Sequence, residues 1–352
     1  MAKVRAYIDT DVLTEAKKRI HHIYDTHDTV AVMFSGGKDS LVALHLKRMV
    51  TEERGEGPVI AVFRDEELIP GVVIDFVASH RGLDWLRLDY YVIPLLSSQF
   101  VLGAVKEYIQ WDPGRRWIRP KPEYGIDREP GDERIFDQFT TDGYIRERSG
   151  FKGKVAYITG IRAAESLIRF RASVNKLNDN YINASSDKRV SLCKPIFDWH
   201  ENDVFKFFYD HDIPYCPIYD RQVWAGASLR VATPLVAEMA KRFDKLKAVD
   251  PTLYQQVIDI FPEMVVQGRY YPQMRGTRTA AVEKYGQSLE GVRAWVEENI
   301  TDPKHLRMAM KELRDVGIRS RNAPGAYPPD YVLKAFMSGH YKRVIQPLKA
   351  KT

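Results

Sequence analysis

Cysteine is nearly missing: the 352 residues include two, Cys193 and Cys216. Two thiols cannot complete a four-cysteine zinc or iron–sulfur site, and one disulfide is the most they could form. Long apolar runs are missing too. No stretch approaches the roughly 20 apolar residues that a membrane-spanning helix needs. Met1 to Tyr24 mixes charges throughout and builds no apolar signal core. A reduced, cytoplasmic protein with no membrane partner is the expectation. No internal repeat, low-complexity tract, helix-turn-helix or zinc-finger spacing stands out. Charge of one sign is scarce as well: 53 Lys and Arg face 47 Asp and Glu, a net +6. That excess reads as spread along the chain, so an anionic partner is permitted and not demanded.

What is present suits a folded α/β protein. Apolar residues make up 44% and charged residues 28%, enough for a sizeable core. Val12, Leu13, Ala16, Ile20 and Ile23 recur at helical spacing, which predicts a helix over 11–24. Thr29 to Phe34 is a short continuous apolar run, as expected of a strand buried on both faces of a parallel sheet. Ser35 to Ser40 breaks it, and Leu41 to Met49 resumes helical spacing. Further strands are predicted at Val59–Phe63, Leu86–Ile93 and Val155–Thr159, with a helix over 70–81. Strands alternating with helices imply a doubly wound, mostly parallel sheet. Residues 111–150, rich in Pro, Gly and charge, read as an insertion or lid with little regular structure. From about Pro234 the pattern turns helical, over 237–248, 253–260, 289–299 and 305–316. The expected division is a nucleotide-binding domain over 1–232 and a helical C-terminal region over 233–352.

Ser35-Gly36-Gly37-Lys38-Asp39-Ser40 carries the chemistry. A loop leaving a parallel strand and entering a helix lies at the carboxyl edge of the sheet. The helix start offers unpaired amides and a positive dipole end, to which phosphate is suited. Gly36 and Gly37 let the backbone approach an anion. Ser35 and Ser40 add hydroxyls, and Lys38 adds a cation. Asp39 would repel phosphate alone, which points to magnesium or water as an intermediary. Neither Gly-x-x-x-x-Gly-Lys-Ser/Thr nor Gly-x-Gly-x-x-Gly fits: Val32 stands where the first needs glycine, and Asp39 where it needs Ser or Thr.

The six residues resemble the signature of the PP-loop superfamily, which includes N-type ATP pyrophosphatases, tRNA thiolation enzymes and phosphoadenylylsulfate (PAPS) reductases. Gly160-Ile161-Arg162-Ala163-Ala164-Glu165-Ser166, followed by Arg169 and Arg171, is similar to a segment of the PAPS reductases. If 161–175 is helical, Arg162, Glu165 and Arg169 share a face. Arg162 could fork onto phosphate oxygens or join an intra-helix ion pair. Lys194 to Val204 and Ile213 to Arg221 also resemble that family, as a helix and turn beside its active site. Trp111-Asp112-Pro113, Trp117 to Pro120 and Asp220 to Arg230 resemble its DUF3440-type branch, described as PAPS sulfotransferases.

The resemblance implies an adenine nucleotide alpha hydrolase-like fold and a site of Ser35, Gly36, Gly37, Lys38, Asp39, Ser40, Asp65, Gly160, Arg162, Glu165 and Arg169. Lys38, Asp39 and Arg162 would be catalytic, with Asp39 holding Mg²⁺. ATP or PAPS would be the nucleotide. One departure stands out: PAPS reductases carry a C-terminal nucleophilic cysteine, and here none follows Cys216. Thiol-based sulfonyl reduction therefore lacks its nucleophile, and Cys193 and Cys216 read as packing residues. Three functions stay open: cleavage of ATP to AMP and pyrophosphate with adenylation of an acceptor; sulfotransferase-like binding of PAPS, its 3′-phosphate near Arg64 or Arg169; or nucleotide-dependent regulation with a ParB-like protein or a nucleic acid. Arg221 and Arg230 are further anion-facing candidates, and a homo-oligomer is allowed.

Overall fold

The computed structural model describes residues 8–165, 169–170 and 180–348. They form two compact units, 1–268 and 269–352. The first begins with helix α1 (Val12–Thr26), whose Asp11 side chain accepts from Thr14 N, the expected cap for an orphan amide. Then follow β1 (Thr29–Met33), α2 (Lys38–Glu53), β2 (Val59–Arg64), α3 (Gly71–Ser79), β3 (Leu86–Tyr91), a hairpin of β4 (Leu95–Val101) and β5 (Ala104–Gln110), α4 (Thr141–Arg148), β6 (Val155–Ile158), β7 (Ile182–Ala184) and β8 (Val190–Cys193). Beyond the strands come α5 (Glu201–Asp210), α6 (Ile218–Trp224), α7 (Ala237–Ala240), α8 (Phe243–Val249), α9 (Pro251–Ile260) and α10 (Glu263–Tyr285), of which 269–285 belong to the second unit. The second unit holds α11 (Leu289–Asn299), α12 (Pro303–Asn322) and α13 (Pro329–Met337) around Val292, Val296, Val316, Val332 and Phe336.

The main sheet runs β3-β2-β1-β6-β8-β7, parallel except for edge strand β7. The apolar run of β1 divides by strand alternation. Val30 and Val32 pack with α1 and α2, while Ala31 packs with Tyr144 and Ile145 of α4. Both faces are covered, as the doubly wound reading requires.

Three expectations change. Residues 233–268 pack in the first unit, because Phe100 N of the hairpin donates to Leu235 O at 2.8 Å and Leu235, Leu253 and Met264 share one core cluster. The compact boundary is therefore 268/269, not 232/233. Within 111–150, α4 is regular, and the stretch before it is pinned rather than loose. Trp111 is fully buried, and Arg115 and Arg119 pair with buried Glu67 and Asp65 at 2.6 and 2.7 Å. Finally, the charge is not evenly spread. Residues 269–352 carry 16 Lys and Arg against 8 Asp and Glu, leaving 37 against 39 in residues 1–268. Of the helix expected over 161–175, Ala163–Glu165 is a 3₁₀ turn and Arg169 and Phe170 are helical; Ser166, Arg171 and the rest lie outside the described residues.

Helix α2 buries an ion at some cost. Lys47 is 1% exposed, its ammonium lies 5.5 Å from the centre of the Tyr24 ring, and burial pulls its pKa down to about 7. An unfolded chain keeps that lysine protonated to about 10.5. The cost is thus fully present below about pH 7 and is relieved as pH rises toward 10.5, where the unfolded state no longer binds the extra proton. Lys47→Met is expected to stabilise the protein at pH 7 by about 2–4 kcal/mol. Denaturant midpoints of both proteins, followed from pH 7 to pH 10, should converge; a constant gap would contradict this account.

Candidate functional site

The strand order turns back between β1 and β6: the chain winds outward through β2 and β3 on one side and through β6 and β8 on the other. Ligand crevices of open α/β sheets form at such points. Here a cleft of about 420 Å³ opens. Its walls are the Ser35–Ser40 loop, the Thr159–Ile161 segment after β6, Arg64 at the end of β2, and Arg230 to Ala232.

The loop turns at Gly36, whose φ of +71° lies in the left-handed region. A Cβ there would also meet Val77 Cγ2 at 2.7 Å. Ser35 N donates to Ser40 Oγ at 3.1 Å, and Lys38 N donates to the Tyr219 hydroxyl at 2.7 Å. Two of the loop amides are therefore spent on the protein itself. Gly36, Gly37, Asp39 and Ser40 donate to no described residue, as expected at the first turn of a helix. These four amides lie at the positive end of the 16-residue α2, where the unpaired donors of a helix start suit an anion.

Gly160 lines the cleft and also lies against the loop. A Cβ on it would lie 2.5 Å from both Asp39 C and Ser40 N. The residue lets the β6 segment press against the loop backbone, so its absent side chain fixes loop position.

Behind the loop lies a buried charge network. Asp39 Oδ1 accepts from Arg162 Nε at 2.6 Å, and Oδ2 accepts from Lys38 Nζ at 3.0 Å. Lys38 also donates to Leu229 O at 3.2 Å, and Glu201 approaches Lys38 and Arg162 at 3.6 and 3.9 Å. Lys38 and Arg162 side chains are 3% and 4% exposed. The expectation that Arg162 forks onto phosphate therefore changes: its guanidinium is buried against Asp39. Arg64, Arg169 and Arg230 line the cleft instead. Arg169 pairs with Glu165, and Arg230 with Glu238. Desolvation, with the nearby Arg230 guanidinium second, lowers the Arg169 pKa. The Nε of Arg64 is buried and has no hydrogen-bond partner among the described residues.

The Asp39 carboxylate, expected to hold magnesium, already accepts from two buried cations, Arg162 and Lys38. Asp65 is also set apart. It accepts from Arg119, from the Tyr90 hydroxyl at 2.6 Å and from Glu67 N at 2.9 Å, and is 1% exposed. It supports the turn after β2 and is not a wall of the cleft.

Tyr219 was missed as a loop residue, although it sits in the Ile213–Arg221 run that resembles the family. It is 3% exposed and its phenol is held protonated by burial. Cys193 and Cys216 are fully buried, and desolvation pushes their thiols up to about 12 and about 11. Neither is a thiolate near neutral pH. Among the described residues no helix is long and apolar enough to cross a membrane.

The uncharacterized protein YbdN of Escherichia coli (strain K12) is 30% identical over 236 residues, covering 62% of this chain and 57% of the relative. The chain thus spans little more than half the length of that relative. A phosphoadenosine 5′-phosphosulfate reductase of Synechococcus sp. is 28% identical over 218 residues, 60% of this chain and 80% of the reductase. A crystal structure of Candida glabrata FMN adenylyltransferase overlays with a TM-score of 0.40 at 13% identity, covering 65% of this chain and 66% of that one. A family model for the phosphoadenosine phosphosulfate reductase domain matches residues 144–246, from α4 through the Gly160 segment and Tyr219 to α8. Residues 144–246 thus match the phosphoadenosine phosphosulfate reductase domain, and the Ser35–Ser40 loop lies outside that match.

Proposed function

We propose that this protein binds ATP at the β1–α2 loop and cleaves it between the α and β phosphates, transferring the adenylyl group to an acceptor and releasing pyrophosphate. The observation that carries the reading is the set of four unspent amides, Gly36, Gly37, Asp39 and Ser40, in a loop that walls a cleft also lined by Arg64, Arg169 and Arg230. Amides fixed in place before the reaction stabilise charge that develops on a leaving pyrophosphate without reorganisation. The three arginines supply positive charge for the remaining phosphate oxygens. Asp39, Lys38 and Arg162 hold the loop in that shape from behind. Nothing in this step requires a thiol, which suits a chain whose two thiols are buried and protonated.

A second reading has its own support. The Arg64 Nε is buried without a partner at the cleft wall, and a 3′-phosphate would satisfy it. In that case PAPS is the nucleotide and sulfuryl transfer the reaction, as the DUF3440-type likeness suggests. Regulation with a ParB-like partner would instead show as nucleotide binding without turnover. A panel of ATP, adenylylsulfate and PAPS, scored for binding and for pyrophosphate release, separates these. Stoichiometric pyrophosphate from ATP is the expected result. Tight PAPS binding with no pyrophosphate from ATP would overturn the first reading in favour of the second.

A further inference from the structure

The second unit carries the chain's whole positive excess, and one helix arranges much of it in a line. On α12, Lys304, Arg307, Lys311, Arg314 and Arg321 follow one another at spacings of three, four, three and seven residues. Such spacing keeps side chains on one helix face. All five are exposed. The stripe runs over 17 residue steps from Lys304 to Arg321, or about 26 Å at a helical rise of ~1.5 Å per residue. Lys304, Arg307, Lys311 and Arg321 have no carboxylate partner among the described residues, and Arg314 has only Asp315 at 3.9 Å. The helix's other acid, Glu312, is turned inward, accepting from Arg319 at 2.5 Å and from Ile345 N at 2.7 Å. Asp302, before the helix, caps it through His305 N.

We propose that this face of α12 docks the phosphodiester backbone of a nucleic acid. A row of cations along one helix side, four of them without a carboxylate partner among the described residues, matches a linear polyanion. One nucleic-acid strand carries a charge every ~3.4 Å of axis, so the stripe would lie along about seven or eight nucleotides. A lipid surface fits less well, because surface-seeking helices bury an apolar face in the bilayer. The apolar face of α12, through Ala309, Leu313 and Val316, is already buried in the core of its own unit. The contacts are to phosphate, so binding is independent of base sequence. This inference does not depend on the nucleotide site of the first unit.

The test is fluorescence anisotropy of labelled 20-nucleotide single-stranded DNA, single-stranded RNA and duplex DNA with the full chain, at 50–200 mM salt. Two variants are compared with the wild type. One combines Lys304→Gln, Arg307→Gln, Lys311→Gln and Arg314→Gln. The other removes the same charge from exposed positions of the first unit: Lys18→Gln, Lys152→Gln, Lys188→Gln and Lys206→Gln. The wild type should bind at least one probe, with affinity falling steeply as salt rises. The α12 variant should lose at least tenfold at 50 mM salt and flatten the log–log salt slope by about 3, with an unchanged melting curve. The second variant should bind nearly as the wild type does. No wild-type binding to any probe, equal losses in both variants, or binding to anionic vesicles and not to oligonucleotides would each overturn the proposal.

Discussion

Asp39→Ala is expected to abolish nucleotide turnover and also to destabilise the protein by about 2–4 kcal/mol. Sequence alone makes Asp39 a functional residue whose loss leaves the fold intact. The structure gives it a second duty. Its carboxylate is 16% exposed and lies between the Arg162 and Lys38 side chains, which are almost wholly buried. Removing one partner of a buried ion pair leaves uncompensated charge and costs about 3–5 kcal/mol. Glu201, within 4 Å of both cations and half exposed, softens that loss. Asp39→Asn keeps the shape and one acceptor oxygen, and should recover part of the stability but little of the turnover. Urea midpoints at constant slope measure the first quantity, and pyrophosphate release the second. An alanine variant as stable and as active as the wild type would show that the network holds nothing in place.

Gly160→Ala should have the larger effect on binding. The new methyl would sit 2.5 Å from Asp39 C and Ser40 N and 2.7 Å from Asp39 O. These are backbone atoms, so no side-chain rotation relieves the clash, and the loop must shift. Overpacking of this kind costs about 1–3 kcal/mol of stability. Nucleotide affinity should fall at least 100-fold, equivalent to about 2.8 kcal/mol at 1.4 kcal/mol per tenfold, because amides misplaced by an ångström no longer converge on one phosphate. Gly82→Ala, where a Cβ meets nothing within 4 Å, is the control and should bind as the wild type does. Calorimetric titration with a non-hydrolysable ATP analogue decides the matter; equal dissociation constants for the two variants would remove Gly160 from the site.

Much of this was legible in the residues. The apolar run Thr29–Phe34, the break at Ser35 and the resumed helical spacing placed the loop, and Val155–Thr159 placed its neighbour in the sheet. The β4–β5 hairpin was not legible. Ala104 to Glu107 are all exposed, so no burial-driven alternation marks the strand. Helix α10 escaped because Pro272 interrupts its interior, where proline ordinarily ends a helix. The duties of Asp65 and Glu67 depend on Arg119 and Arg115, about fifty residues away in a segment that reads as irregular. The same limit applies to Tyr219, which reaches Lys38 N across 181 residues. Local patterning reports which face a residue prefers, and it does not report the distant partner that meets it there. The basic bias was hidden for another reason. Whole-chain charge averages a slightly acidic first unit with a strongly basic second one, and only the division at 268/269 separates them.

The central claim is that phosphate is received by backbone amides at the start of α2. A crystal structure of the protein soaked with a non-hydrolysable ATP analogue tests it most directly. The account predicts phosphate oxygens within about 2.7–3.2 Å of at least two of the Gly36, Gly37, Asp39 and Ser40 nitrogens, with an arginine of the cleft wall on the same group. A nucleotide bound elsewhere, with those four amides facing solvent alone, would contradict it.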